Sequence, residues 1–383
     1  MADLEEFFSD LHIHSAYSKA TSPEMRIENI SRIAKMKGLD LMGTGDCLNQ
    51  KWIEEIKSKL EVSGEEIRDP KYGVNYILTV EVEDINRVHH LIILPEISSA
   101  QSMAEEFGSS DEGRPKVKMG APEIVEIVKE FEGEIGPSHA FTPWTSVYKE
   151  FNSLRDCYQE ELRNVNFVEL GLSASTEMAD RISELSRFTF LSNSDAHSPK
   201  ADKLGREFNS FLIEEPTFKE VSMAIKRKNK RKVGLNFGLD PRIGKYFLTA
   251  CVRCHKRYSR EEAESINWKC KCGGRIKKGV KDRIDELADL TKPRSPKHRP
   301  PYIGGVPLIE AISFLEGKSL SSRVVYTKWM EILEKFGSEI EILVKADLSE
   351  LSSLGKLSKL IDDMRGGKLK VFPGGGGEYG KLL

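Results

Sequence analysis

The chain has no apolar run long enough to cross a bilayer, and no signal-peptide pattern follows Met1-Ala2-Asp3-Leu4-Glu5. A helical membrane protein is thereby excluded, and a soluble, cytoplasmic protein is the expectation. Cysteine is also scarce. There are six in 383 residues, and four of them crowd into one short segment, which argues against a disulfide framework. Internal repeats are missing, so a solenoid is not expected. Only Gly374–Gly377 approaches low complexity. Overall charge is nearly absent, at −2.

The charge is nonetheless unevenly spread. Residues 226–300 carry 23 Lys and Arg against 8 Asp and Glu, a net of +15, so the rest of the chain sums to −17. A basic segment beside an acidic body suits a protein that binds a polyanion with one part and collects cations with the other. Within the basic segment, Cys251, Cys254, Cys270 and Cys272 form two close pairs. Four thiolates at that spacing match a structural zinc site, and Gly273-Gly274 supplies the tight turn after the second pair. Cys47 and Cys157 stand alone; Cys157 reads as a packing residue, and His255 and His298 read as surface residues.

The histidines are few, eight in all, yet six flank strand-like runs. Asp10-Leu11-His12-Ile13-His14 closes an apolar opening run. Side chains alternate along a strand, so both imidazoles of an HxH pair point to one side and can hold a divalent cation. Asp46 follows Leu39–Gly45, Glu81 closes Tyr76–Val80, and His89-His90 precede Leu91–Leu94. His139 follows Gly133–Pro137, and Asp195-Ala196-His197 ends Phe188–Asn193. Between these runs lie helical patterns. Ile27, Ile30, Ile33, Ala34 and Met36 have helical spacing and stop at Lys37-Gly38; Ile124 to Phe131 repeats the device and stops at Gly133. Repeated strand–helix units with chemistry at the strand ends describe an α/β barrel, preferred here to a doubly wound sheet.

The expected organisation is a metal-dependent hydrolase barrel over 1–225, a basic zinc-binding module over 226–290, and a mainly helical DNA-binding region over 291–383. Helices are expected near 280–290, 308–315, 321–336 and 357–364. DNA-contacting candidates are Lys226, Arg227, Lys230 and Arg231 at a basic helix end, Arg294, Lys297 and Arg299 among prolines, and Tyr379 after the glycine run. Phe141 and Trp144 beside His139 are either core residues or walls of a base pocket.

Together DLHIH, the Asp46 motif, Glu81, the VHH element, Ser138–Phe141 and Ser194–His197 resemble the PHP (polymerase and histidinol phosphatase) superfamily. That resemblance implies a distorted (β/α)7 barrel that holds two or three metals and cleaves phosphoesters. Arg206–Asn209, the four cysteines, Pro300-Pro301-Tyr302 and Gly374–Lys381 make the whole chain similar to the archaeal endonuclease Q family. The resemblance implies a DNA repair endonuclease that cuts on the 5′ side of deaminated bases (uracil, hypoxanthine, xanthine) and abasic sites, in double- or single-stranded DNA. It places His12, His14, Glu81 and Asp195 around one metal, with Glu81 bridging to a second held by His139 and His90. A third position draws on Asp46 and His197, and the catalytic residues are Asp46, Asp195 and His197. His90 is preferred to His89 because it directly precedes the apolar run. Many superfamily members have His where this chain has Cys47. Zinc is the first choice for the barrel, with manganese or magnesium as alternatives. Work on chromosomal DNA implies a nucleoid-associated protein. A sliding clamp is an open partner, although no clamp-binding motif is evident. The competing readings are a small-molecule phosphatase of the histidinol-phosphatase type and a non-catalytic nucleic-acid-binding protein.

Overall fold

A computed structural model describes residues 3–108 and 113–383. The strands that build the body are β1 (Glu5–Asp10), β2 (Leu41–Gly43), β3 (Glu61–Ser63), β4 (Glu66–Arg68), β5 (Asn75–Glu83), β6 (His89–Leu94) and β7 (Glu134–Pro137). They are followed by β8 (Phe167–Glu169), β9 (Thr189–Leu191), β10 (Phe208–Ile213) and β11 (Lys232–Leu239). β1 pairs in parallel with β2, and β2 with β5; β6 then runs antiparallel to both β5 and β7. On the other side β10 is antiparallel to β1 and to β11. The short parallel pair β8–β9 lies between. Ala140 N donates to the Glu169 carbonyl at 2.9 Å, Ser192 N to Asn209 Oδ1 at 2.8 Å, and Ile13 bridges Ala196 in parallel. The strands thus curl into a distorted barrel of mixed direction.

Leu41, Ile77, Leu91, Ile93, Phe167, Leu191 and Phe211 form one buried cluster, fed by nearly every strand and closed by helix Phe218–Ile225. A second, larger cluster lies between the strands and the helices α1 (Ile27–Lys37), α2 (Gln50–Lys59), α3 (Ile97–Glu106) and α4 (Ala121–Glu130). α1 forms because Ile27, Ile30, Ile33 and Ala34 fall on one face, and it ends where Gly38 adopts φ 85°.

The sheet does not stop at residue 225, as the sequence reading expected. β11 joins it, and a late strand, Tyr302–Gly305, pairs in parallel with β11. The basic run 226–232 is therefore a tight turn between a helix and a strand. The four-cysteine module, a hairpin of Ala250–Cys251 and Ile276–Lys277 with helix Arg260–Ser265, is inserted between two strands of the body. The helical region follows as Leu308–Glu316, Arg323–Phe336 and Lys356–Arg365, close to the expected segments. It is joined to the barrel by a buried ion pair, Lys37 Nζ to Glu339 Oε1 at 2.7 Å. Among the described residues no helix is long and apolar enough to cross a membrane.

Candidate metal centre and nucleic-acid interface

At one mouth of the barrel the strand ends deliver imidazoles and carboxylates to a common space. Glu81, fully buried near the end of β5, is the hub. Its Oε1 lies 2.9 Å from His89 Nδ1, 2.9 Å from His139 Nε2 and 3.5 Å from His12 Nε2. Its Oε2 lies 3.6 Å from His14 Nε2. Asp195 Oδ1 is 3.2 Å from His14 Nε2 and 3.6 Å from His197 Nδ1. Three groups have ligand atoms close enough to share one cation each: His12–His14–Glu81, His14–Asp195–His197 and Glu81–His89–His139.

A second layer of acceptors orients these rings. Glu169 Oε2 sits 2.9 Å from His12 Nδ1 and also accepts from His139 N at 2.7 Å. Glu83 Oε2 lies 3.1 Å from His89 Nε2. Holding the proton on one ring nitrogen leaves the other free to ligate. His12 Nε2 is the clearest case: it is buried, faces the hub and has no hydrogen-bond partner. That orphaned atom, with the mixed imidazole and carboxylate set around it, fits divalent cations. Without them, burial opposes charge on His12, but Glu169, Glu81 and Asp195 overcome that cost and push its pKa up to about 10. The same imidazoles hold the Glu81 and Asp195 carboxyls well below their usual range despite burial. Asp46, His139 and Asp195 adopt φ of 49°, 30° and 47°, strained values for residues other than glycine at three positions of one site.

Two expected residues stand elsewhere. His90 points away from the hub, with Nδ1 2.8 Å from the Tyr158 hydroxyl, and His89 takes the place expected for it. The register explains this: Glu81 opposes Leu91 and Glu83 opposes His89, so His89 shares the face of Glu81 and His90 does not. Asp46 is in the second layer. Its Oδ2 accepts from Ser15 N and Oγ, each at 2.6 Å, while Oδ1 accepts from Ser18 Oγ at 2.9 Å and lies 3.2 Å from His14 Nδ1. With its oxygens so engaged it orients His14, and the expected Asp46–His197 position is not formed. Cys47 is buried and burial raises its thiol pKa, so it adds no thiolate. Asp10 accepts from Ser194 N and Gly205 N, each at 3.0 Å, and so ties two turns beneath the site.

The four cysteines converge as the spacing predicts. Cys251 and Cys272 Sγ are 3.5 Å apart, and Cys254 and Cys270 Sγ 3.6 Å. A tetrahedral zinc with bonds near 2.3 Å requires about 3.8 Å. Gly274 has to be glycine, since a Cβ there would lie 2.6 Å from Cys251 Sγ. The module packs on the loop that follows His139. Lys277 Nζ lies 3.8 Å from the Trp144 ring centroid, and Arg283 Nε donates to the Tyr148 carbonyl at 2.8 Å. A cleft of about 540 Å³ runs along this seam, walled by Phe141, Tyr148, Trp268 and Lys277. Trp144 is 54 % exposed beside it, whereas Phe141 is buried.

The positive charge is present, but several expected carriers are engaged internally. Lys226 pairs with Glu134, and Arg227 binds Thr189 and the Arg187 carbonyl. Arg231 is held by Glu214 and Glu220. The Arg299 side chain is 2 % exposed, 2.8 Å from Asp180 and stacked on Phe190. These four are tied to the body by those contacts, although Arg227 keeps an exposed surface. Lys230, Arg294, Lys297 and Tyr379 are exposed, and so are Arg253, Lys256, Lys269, Lys271 and Arg275 on the zinc module. Exposed cations therefore line the four-cysteine module and the proline-rich strap, with Lys230 on the turn before β11.

Comparison with known proteins bears on this arrangement. Residues 307–368 match the family model described as the MJ0043 C-terminal domain. The uncharacterised protein MJ0043 of Methanocaldococcus jannaschii is 50% identical over 251 residues, 64% of this chain, which spans only 31% of that protein. The uncharacterised Bacillus subtilis protein YqxK is 31% identical over 99% of this chain and 100% of its own length. The crystal structure of the lesion-specific endonuclease PfuEndoQ from Pyrococcus furiosus is 47% identical, with a TM-score of 0.94 over 99% of this chain and 95% of that one. The chain belongs to the endonuclease Q family. Endonuclease Q in complex with a 27-mer duplex carrying an abasic lesion at the active site is also 47% identical, with a TM-score of 0.92 over 99% of this chain and 96% of that one.

For this endonuclease Q family member, sequence reasoning missed Glu169, Arg114 and the inward turn of His89. Glu169 ends β8 as Glu81 ends a run of β5, a position that could have flagged it. Arg114 Nη1 donates to Glu81 Oε2 at 3.0 Å from a loop without any periodic pattern.

Proposed function

We propose that this chain is a metal-dependent DNA repair endonuclease that hydrolyses the phosphodiester on the 5′ side of deaminated bases and abasic sites. The observation that carries the reading is the juxtaposition of a buried His and carboxylate cluster with an exposed basic zinc module. That juxtaposition lies in a chain that superimposes along almost its whole length on endonuclease Q holding a lesion duplex. In this reading His12, His14, Glu81, His89, His139, Asp195 and His197 hold two or three divalent cations, with zinc or manganese suited to the mixed donors. Cys251, Cys254, Cys270 and Cys272 hold a structural zinc. A bound divalent cation makes water a better nucleophile and stabilises charge on phosphoryl oxygens.

The chain's own groups do the rest. Glu169, Asp46 and Glu83 fix the imidazoles, and the cationic face of the zinc module grips phosphates without reading sequence. A base inside the stack cannot be inspected atom by atom, so the damaged nucleotide has to leave the duplex. The cleft beside Trp144 offers an aromatic wall for it. Activity on chromosomal DNA would place the protein with the nucleoid. The phosphatase alternative explains the barrel but leaves the basic module without a role. Offering a lesion duplex and an amino-alcohol phosphomonoester to the same preparation separates the two. Cleavage of the duplex alone supports the endonuclease, and release of phosphate from the small ester alone moves the barrel to the phosphatase class.

A further inference from the structure

We propose that Arg114 is a catalytic residue of this site, its guanidinium holding the non-bridging oxygens of the scissile phosphate. This rests on the endonuclease reading. The segment that carries it is laid across the mouth of the barrel and pinned on both sides. Gly113 N donates to the Tyr17 carbonyl at 3.0 Å, Glu83 N to the Pro115 carbonyl at 3.0 Å, and Val117 N to the Glu83 carbonyl at 2.9 Å. Gly113 passes so close that a Cβ would lie 2.4 Å from Asp46 Cγ, so this backbone path is built against the site. Arg114 projects inward from it, with a side chain 27% exposed and Nη1 3.0 Å from Glu81 Oε2. The same loop's Lys116, 68% exposed, binds Glu83 instead.

Glu81 belongs to the His12–His14–Glu81 group, and its Oε2 lies 3.6 Å from His14 Nε2. A cation held by that group would compete for the Glu81 carboxylate and weaken its hold on the guanidinium, which stays tethered beside it. A phosphodiester lying between the cation and the guanidinium would supply an anionic partner to both. A planar guanidinium offers two parallel N–H donors to two phosphate oxygens, a match that lysine lacks. During hydrolysis the water oxygen bonds to phosphorus, the P–O bond to the leaving nucleotide breaks, and that oxygen takes up a proton. Arg114 neutralises charge on the oxygens that remain on phosphorus throughout.

The test compares wild type with R114A and R114K in three measurements. On a lesion duplex, kcat is expected to fall about 100-fold in R114A with KM nearly unchanged, and free guanidinium to restore part of it. Divalent cations per chain, by elemental analysis, are expected to stay at the wild-type number in both variants. Inorganic phosphate binding to the metal-loaded protein, by calorimetry, is expected to weaken about tenfold in R114A. Loss of a cation in R114A would show that Arg114 only positions Glu81, and unchanged phosphate binding would equally overturn the proposal. The phosphate measurement stands even if wild type leaves lesion DNA uncut, so a failure of the endonuclease reading is distinguishable from a failure of this one.

Discussion

Replacing Lys37 by Met tests how the barrel and the helical region are joined. Lys37 closes α1 and is only 1% exposed, with its Nζ 2.7 Å from Glu339 Oε1. Glu339 also accepts from Leu308 N at 3.0 Å and from Trp329 Nε1 at 2.9 Å, both buried. The variant keeps those two hydrogen bonds but leaves a carboxylate enclosed without its cation. Breaking a buried pair on one side costs about 3–5 kcal/mol, and the two surviving donors favour the lower end. Adding Glu339→Gln removes the stranded charge and keeps an acceptor, so the double variant should lose less than either change alone implies. A double-mutant cycle by urea unfolding, followed by tryptophan fluorescence and far-UV circular dichroism, reads the coupling where both probes coincide. The expected coupling is about 2 kcal/mol or more. A value below about 0.5 kcal/mol, as for an exposed pair, would refute the reasoning.

His89→Ala should remove about one divalent cation per chain and most nicking activity. His90→Ala should keep the cations and instead cost about 1–3 kcal/mol by leaving the Tyr158 hydroxyl unpaired; elemental analysis beside thermal unfolding separates the two. Glu207 is buried, with Oε1 accepting from Leu239 N at 2.6 Å and Oε2 unpartnered, and burial pushes its pKa up to about 8. Between its unfolded value, about 4.3, and 8 the unfolded chain releases this proton while the folded chain keeps it. Stability from this group therefore falls as pH rises through that window and levels off above it. Glu207→Gln should flatten that slope between pH 5 and 8, and an unchanged slope in urea titrations would contradict the assignment. Cys270→Ser should cost one zinc per chain and weaken duplex binding while leaving the barrel cations in place, measured by elemental analysis and fluorescence anisotropy.

What the sequence disclosed was whatever depends on local pattern. The HxH pair at the end of β1, Glu81 and the Asp195–His197 turn, and the helices around Ile27 and Ile124 follow from periodicities of two and 3.6. The cysteine spacing disclosed the four-thiol cluster directly. What stayed hidden depends on partners distant in sequence. The choice of His89 over His90 is made by the antiparallel register with β5, because one residue of slip exchanges the two faces. Asp46 reads as a ligand until Ser15 and Ser18 are seen to occupy its oxygens. Arg231 and Arg299 read as free cations until Glu220 and Asp180, one near in sequence and one far, are seen to bury them. The boundary at 225 failed for the same reason, since β11 is recruited by pairing with β10 after a strongly basic turn that resembles a linker.

The central claim is tested most directly on an end-labelled duplex carrying one abasic site, with an undamaged duplex beside it. Wild type and Asp195→Ala would be incubated with zinc, manganese or magnesium, and with a chelator. The account predicts a single cut on the 5′ side of the lesion that needs a divalent cation and is absent from the variant, the chelated sample and the undamaged strand. A cut that survives chelation or the loss of Asp195, or equal cutting of damaged and undamaged DNA, would contradict it.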